Sequence, residues 1–272
     1  APSAPERLQS SATRIGPTAP GDRVEAVSGM HFERMAAAYA AARPPYPDVV
    51  FETLEAEGVI GPDIRVLEIG AGSGLATREL VARGSDVVAL EPGPQLAALL
   101  HDAGAGVEVL PSRLEDAQLA DADFDSVVAA TAMHWVDLSV GLPKIHRALR
   151  PGGWLAVWRN VFGDDRVQTP FRRRVDEIVA KRPHAEHGRG RDQRPTMGEL
   201  AADGWFEPVR TARWRWSIDL SAAQIGDLFR TFSNWTTGEA AAAEAAASDL
   251  GGQVTEHYQS VLHLLRRAPR AT

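Results

Sequence analysis

The sequence predicts an α/β chain built on a doubly wound, mostly parallel sheet, and three observations carry that prediction. Ile64, Val66, Leu67 and Ile69 form a short, nearly continuous apolar run, the pattern of a strand covered on both faces, and it leads straight into Gly70, Gly72 and Gly74. Leu75, Leu80 and Val81 then recur at helical spacing among the charges of Arg78, Glu79 and Arg83, so the turn opens onto an amphipathic helix. A second apolar strand, Val87 to Leu90, ends in Glu91 about twenty residues past the first glycine, where a nucleotide-binding sheet places an acid.

The turn itself limits what can bind. Three glycines let the backbone bend sharply and let a ligand lie against it, with free amides of the following helix pointing outward. A dinucleotide fingerprint requires G-x-G-x-x-G, because its last glycine brings helix and strand close together. Here the spacing is G-x-G-x-G, with Leu75 at the position of that last glycine. With Glu68 two residues ahead of Gly70, the segment Val66 to Gly74 resembles motif I of the class I S-adenosylmethionine (SAM) methyltransferases. Val87 to Pro92 resembles motif II of the same family.

That resemblance implies a Rossmann-like sheet of seven strands with the last one antiparallel, SAM as cofactor and S-adenosylhomocysteine as product. It also implies that Glu68, Gly70, Ala71, Gly72 and Gly74 line the cofactor, and that Glu91, followed by Pro92, accepts hydrogen bonds from the ribose hydroxyls. Upstream, Tyr39 to Pro47 resembles the Y-x-x-x-R-P-x-Y-P entrance segment of one subgroup. By that likeness Tyr39 and Arg43 cover the methionine end of SAM, the guanidinium facing its carboxylate; both residues can equally pin a helix to the core.

Downstream, the turn Pro111 to Gln118 falls where relatives hold the adenine. The family's usual Asp is replaced here by Ser112 or Arg113, which leaves Leu114 for packing and its amide, and Glu115 as either a ligand or a helix-start charge. The strand Phe124 to Ala130 ends in Thr131, and strand ends at the switch point of such a sheet face the ligand crevice. Ala132 to Asp137 resembles the A-x-H-W-x-D segment of a small-molecule subgroup that includes trans-aconitate-type methyltransferases, and the Asn/Asp-Pro-Pro-aromatic string of DNA amino-methyltransferases is absent. Trp135 is expected to wall the SAM pocket. His134 admits two readings, a general base for the acceptor or a residue that only holds a hydrogen bond beside the cofactor.

Helices are expected from Met30 to Arg43, from Asp48 to Glu57, from Gln95 to Ala103 and from Leu142 to Leu149. The breaker cluster Arg150 to Gly153, which resembles the family's R-P-G-G-x-L form, introduces a strand from Trp154 to Trp158. Past Arg159 the buried alternation stops. A helix from Phe171 to Ala180 carries a basic edge at Arg172, Arg173 and Arg174, either a solvated face or an attraction for an anionic substrate. Alternation from Arg210 to Ile218 predicts an edge or antiparallel strand, and Gln259 to Arg266 the reversed last strand, with helices near Ala222 to Phe232 and Glu239 to Asp249 between them. Leu228 to Trp235 resembles a substrate-side wall of the subgroup, and Phe232 and Trp235 can equally do no more than pack the lid.

The organisation expected is a disordered tail over 1–28, a single methyltransferase domain over 29–266 with N-terminal cap helices and cap insertions around 160–203 and 220–252, and a short tail over 267–272. No secretory signal core is evident in 1–28. The chain has 272 residues, enough for a sizeable core, and no cysteine, which excludes disulfides, a thiolate zinc site and a covalent cysteine mechanism. His184 and His187 lack a third ligand at convincing spacing, so no metal is assigned. A net charge of −7 argues against a nucleic-acid substrate, and no apolar run approaches a membrane span. The reading is a cytoplasmic enzyme that methylates O, N, S or carboxylate of a small molecule, in secondary metabolism. The competing reading is a SAM-binding scaffold, or an enzyme using the same fold for another reaction.

Overall fold

The structure is a computed structural model that describes residues 41–101, 107–182, 194–232 and 234–269. Tyr39, most of the helix expected from Met30 to Arg43, the tail over 1–28, His184 and His187 lie outside the described residues.

The strands are β1 (Arg65–Ile69), β2 (Asp86–Leu90), β3 (Val107–Leu110), β4 (Phe124–Ala130), β5 (Leu149–Phe162), β6 (Phe206–Ser221) and β7 (Gln253–Arg267). They form one seven-stranded sheet in the order β3-β2-β1-β4-β5-β7-β6. Neighbours from β3 to β5 pair in parallel, and β7 lies antiparallel to both β5 and β6. The strand order reverses between β1 and β4, which opens a crevice at their carboxyl ends.

Burial on both faces accounts for the apolar runs. Leu67 and Ile69 pack on one side of the sheet with Val127, Leu142 and Ile145, while Val66 packs on the other with Val50, Phe51, Ala76 and Leu80. Side chains alternate along a strand, so a strand sandwiched between helix layers must be apolar at every position. The helices are α1 (Asp48–Ala56), α2 (Leu75–Ala82), α3 (Pro94–His101), α4 (Leu138–Ala148), α5 (Pro170–Ala180), α6 (Met197–Ala201), α7 (Ala222–Arg230) and α8 (Thr237–Asp249).

Three boundaries differ from the sequence reading, each for a local reason. The helix α4 starts at Leu138 and not at Leu142, because Asp137 caps it by accepting the Ser139 amide at 3.0 Å. The strand β5 starts at Leu149, and the breaker cluster is an irregularity inside the ladder. Phe124 pairs Leu149 and Ser126 pairs Trp154, so the extra residues 150–153 bulge out. The strands β6 and β7 extend well beyond Arg210–Ile218 and Gln259–Arg266, pairing continuously as far as Ser221 with Gln253.

Those extensions carry a third apolar cluster. Phe171 and Val175 of α5, Ile225, Leu228 and Phe229 of α7, and Ala240, Ala243 and Ala247 of α8 pack together with Leu220 and Val254. Capping boxes start α7 at Ser221 with Gln224 and α8 at Thr236 with Glu239, satisfying amides that a helix start leaves open. Arg182 joins the end of α5 to the start of α8 through two bonds to Glu239, at 2.7 and 3.2 Å, and its guanidinium lies over Trp235 at 5.1 Å. These helices stand beside the carboxyl end of β5, next to the crevice.

Candidate active site

The glycine turn is held by its neighbours before any ligand is considered. Gly70, Gly72 and Gly74 all have positive φ, at 63°, 59° and 82°, and Gly74 caps α2 from the left-handed region. A Cβ placed on Gly70 would stand 2.7 Å from the Cβ of Ala132, so the turn fits against the end of β4 only without a side chain there. The Ala71 amide donates to the Leu90 carbonyl at 3.1 Å, which ties the turn to the end of β2.

Glu91 completes this tie. One carboxylate oxygen accepts the Gly72 amide at 2.8 Å and the other accepts the Gly93 amide at 2.9 Å. The residue is 6% exposed. Each carboxylate oxygen has two lone pairs, so the group can accept more than one donor at each oxygen. Glu68 serves differently: it is 1% exposed, and its carboxylate accepts the Thr77 hydroxyl at 2.7 Å, bracing β1 against α2.

Burial pushes the Glu68 carboxyl up to about 7, opposed by the Thr77 bond and reinforced by the charge of Glu91. The ordinary value lies near 4.5, so the folded state holds a proton that the unfolded chain has released. This contribution is fully present below pH 4.5 and is lost as the pH rises through 7. Glu68→Gln is expected to remove a decline in stability of roughly 3 kcal/mol over that window. Urea unfolding across a pH series checks it, and parallel profiles for the two proteins would refute the assignment. Burial also raises Glu256 to about 7, so the difference between the two proteins, not the wild-type slope, is the readout.

At the end of β4, Thr131 adopts φ 57°, its amide donates to the Trp158 carbonyl at 2.7 Å, and its hydroxyl meets the Tyr46 hydroxyl at 2.9 Å. Met133 to Trp135 then form one 3-10 turn, in which the half-buried His134 and Trp135 rings lie 4.6 Å apart. A second loop closes on this one. Glu115 accepts the Asp137 amide at 2.9 Å, its carbonyl accepts from Lys144 at 2.7 Å, and Arg113 donates to the Trp135 carbonyl at 3.4 Å. Glu115 therefore fastens two loops together and is not a helix-start charge, while Leu114 is buried in the core.

A small cleft, open to solvent, lies between this turn and the helices of the third apolar cluster. Leu75 and Thr131 line it from the sheet, Arg43, Pro44 and Tyr46 from the entrance segment, Asn160 and Phe162 from β5, Leu228 and Phe232 from the cap, and Tyr258 from β7. Arg43 donates to the Thr231 carbonyl at 3.3 Å, and its guanidinium lies over the Phe232 ring at 4.7 Å. Asn160 binds the Pro45 carbonyl at 3.2 Å and accepts from Ser260 at 2.7 Å, so the entrance segment is fastened to the sheet. Within the basic edge of α5, Arg172 turns inward to Glu256 at 2.6 Å and lies over Phe162 at 3.8 Å, while Arg174 pairs with Glu177. Sequence reasoning did not single out Asn160, Phe162 or Tyr258, because they fall at or beyond the strand ends it drew.

No group of three His, Asp or Glu side chains gathers to hold a metal among the described residues. Nor is any described helix long and apolar enough to cross a membrane.

A left-handed glycine turn clasped by a strand-end carboxylate thus stands at the switch point of this sheet, the place where such sheets hold ligands. A family model described as a methyltransferase domain matches residues 67–157. An uncharacterized methyltransferase of Mycobacterium bovis is 32% identical over 212 residues, covering 78% of this chain and 80% of its own. An uncharacterized methyltransferase-like protein of Schizosaccharomyces pombe is 27% identical over 209 residues, covering 74% and 77%. A solved structure from Anaeromyxobacter dehalogenans, provisionally described as a type II methyltransferase, shares the fold with a TM-score of 0.61 at 23% identity, over 84% of this chain and 99% of that one. The chain belongs to the class I SAM-dependent methyltransferases.

The site fits that cofactor. A Cβ added at Gly72 would meet nothing nearer than the Gly70 carbonyl oxygen at 4.0 Å, so the backbone there is open to close approach. Glu91 supplies acceptor capacity beside it.

Proposed function

We propose that the chain transfers the methyl group of SAM to a small-molecule acceptor, at an O, N, S or carboxylate atom, as a cytoplasmic enzyme of the subgroup marked by the A-x-H-W-x-D segment. The observation that carries this reading is the cleft that Leu75 and Thr131 share with Phe162, Leu228 and Phe232: it adjoins the glycine turn and offers apolar walls to a second molecule. The net charge of −7 supports an acceptor other than nucleic acid. The domain runs over 29–266, with the cap drawn from the insertions around 160–203 and 220–252. A role in secondary metabolism is part of the same proposal.

In this reading Glu91 takes the ribose hydroxyls, the amides of Gly70 to Gly74 approach the nucleoside, and Arg43, with Tyr39, covers the methionine carboxylate. Pro92 and Trp135 wall the base and the Leu114 amide faces it, with Glu115 and Thr131 fixing the loops around it. The bound sulfonium supplies an electrophilic methyl group, so the chain's own work is alignment of the acceptor and exclusion of water.

His134 is assigned to the cofactor wall and not to proton transfer, because its ring packs on Trp135. His134→Ala is expected to weaken SAM binding about threefold to tenfold and to leave kcat within about threefold. The measurement is S-adenosylhomocysteine release over an acceptor panel, paired with SAM titration. A hundredfold loss of kcat with unchanged SAM affinity would restore the general-base role. No turnover of any acceptor by a protein that binds SAM would favour the scaffold reading.

A further inference from the structure

One wall of the cleft is made by a residue whose polar atom has no partner among the described residues. Tyr258 is 3% exposed, its ring stacks on Trp216 at 4.7 Å and meets the edge of Phe162 at 5.3 Å, and it lines the cleft. Its hydroxyl has no hydrogen-bond partner among the described residues. Two residues earlier on the same face of β7, Glu256 is fully buried. One of its oxygens accepts from Arg172 at 2.6 Å and the other has no partner among the described residues.

Buried polar groups are almost always bonded to protein, water or a ligand, so an unpaired hydroxyl beside a cleft is suited to bind a molecule that enters it. Burial and the nearby Glu256 charge hold the Tyr258 hydroxyl protonated well above neutrality, so it acts as a donor. Around it, Phe162, Phe232 and Leu228 are apolar, Arg172 is paired with Glu256, and the Arg43 guanidinium that also lines the cleft lies over the Phe232 ring and donates to the Thr231 carbonyl.

We propose that the Tyr258 hydroxyl is the donor that recognises the methyl acceptor, and that this acceptor is a flat, largely apolar molecule presenting an uncharged oxygen to it. The proposal rests on the methyl-transfer reading, since it assigns the far side of the same cleft. Tyr258 acts in recognition and takes no proton from the acceptor.

The test is Tyr258→Phe, which deletes the hydroxyl and keeps the ring on Trp216. Ligand-observed NMR on protein saturated with S-adenosylhomocysteine measures p-cresol against toluene, a pair that differs by one hydroxyl. Wild-type protein is expected to prefer p-cresol about fivefold to tenfold, and the variant less than twofold, the size of one hydrogen bond. SAM affinity is expected to stay within about twofold. The variant is expected to unfold at the same temperature or about 2–4 °C higher, because an unbonded hydroxyl has been removed. An equal preference in both proteins, failure of p-cresol to bind a protein that binds SAM, or a lowered unfolding temperature in the variant would each overturn the proposal. Failure of the wild-type protein to bind SAM would instead remove the cofactor assignment on which it stands.

Discussion

Glu91→Gln is expected to weaken SAM binding about a hundredfold, and the reason lies in the count of acceptors. Both carboxylate oxygens already accept backbone amides, from Gly72 and from Gly93. A glutamine side chain has one oxygen, so one of those amides must face an NH2 group, donor against donor. The same substitution removes the negative charge proposed to hold two ribose hydroxyls, and hydrogen bonds to charged groups are worth about 1.5–3 kcal/mol each. Two effects of that size multiply to at least a hundredfold in affinity, read by calorimetric titration. A cost of about 1–3 kcal/mol in stability should accompany it, read by urea unfolding. Near wild-type affinity in the variant would mean that the carboxylate only ties the turn to β2.

Gly70→Ala is expected to abolish measurable SAM binding and to cost about 2–4 kcal/mol in stability, with Gly58→Ala as its control. Both glycines have φ near +65°, at 63° and 69°, so each substitution carries the left-handed penalty of about 1–2 kcal/mol. At Gly58 a Cβ meets nothing within 4 Å, and the effect should end there. At Gly70 the new carbon would stand 2.7 Å from the Ala132 Cβ, which forces the turn away from the end of β4. The turn is then misplaced relative to Glu91. Equal losses of stability in the two variants, or intact SAM binding in Gly70→Ala, would show that contact between the turn and β4 is not needed.

Much of this site could be read from residues alone because parallel strands buried on both faces leave an unmistakable trace. Val66 to Ile69 and Val87 to Leu90 are apolar at nearly every position except Glu68, and each stops at a residue type, glycine or carboxylate, that bends or binds. What escaped was set by contacts between distant parts of the chain. Glu115 could not be recognised as the partner of the Asp137 amide, because the two meet only when two strand-end loops come together. Asp137 did carry a signal, an N-capping residue followed two positions on by Ser139, but the apolar spacing that follows it drew the helix start to Leu142.

β7 shows a different cause. Its buried face carries Glu256 and Ser260 beside Val254 and Tyr258, so polar residues occupy inward positions and the period-two pattern dissolves. Both polar side chains are explained by distant partners, Arg172 for Glu256 and the Trp216 and Asn160 side chains for Ser260. Arg172 likewise read as part of an exposed basic edge, and it faces inward because Glu256 draws it there. A local pattern fails where the cap and the sheet exchange charged groups.

The most direct test is calorimetric titration of the purified protein with SAM and, separately, with NAD. One-to-one binding of SAM, lost in Gly70→Ala and weakened about a hundredfold in Glu91→Gln, with no heat from NAD, is the expected result. Saturable NAD binding, or SAM binding that neither substitution disturbs, would contradict the placement of the nucleoside between the glycine turn and Glu91.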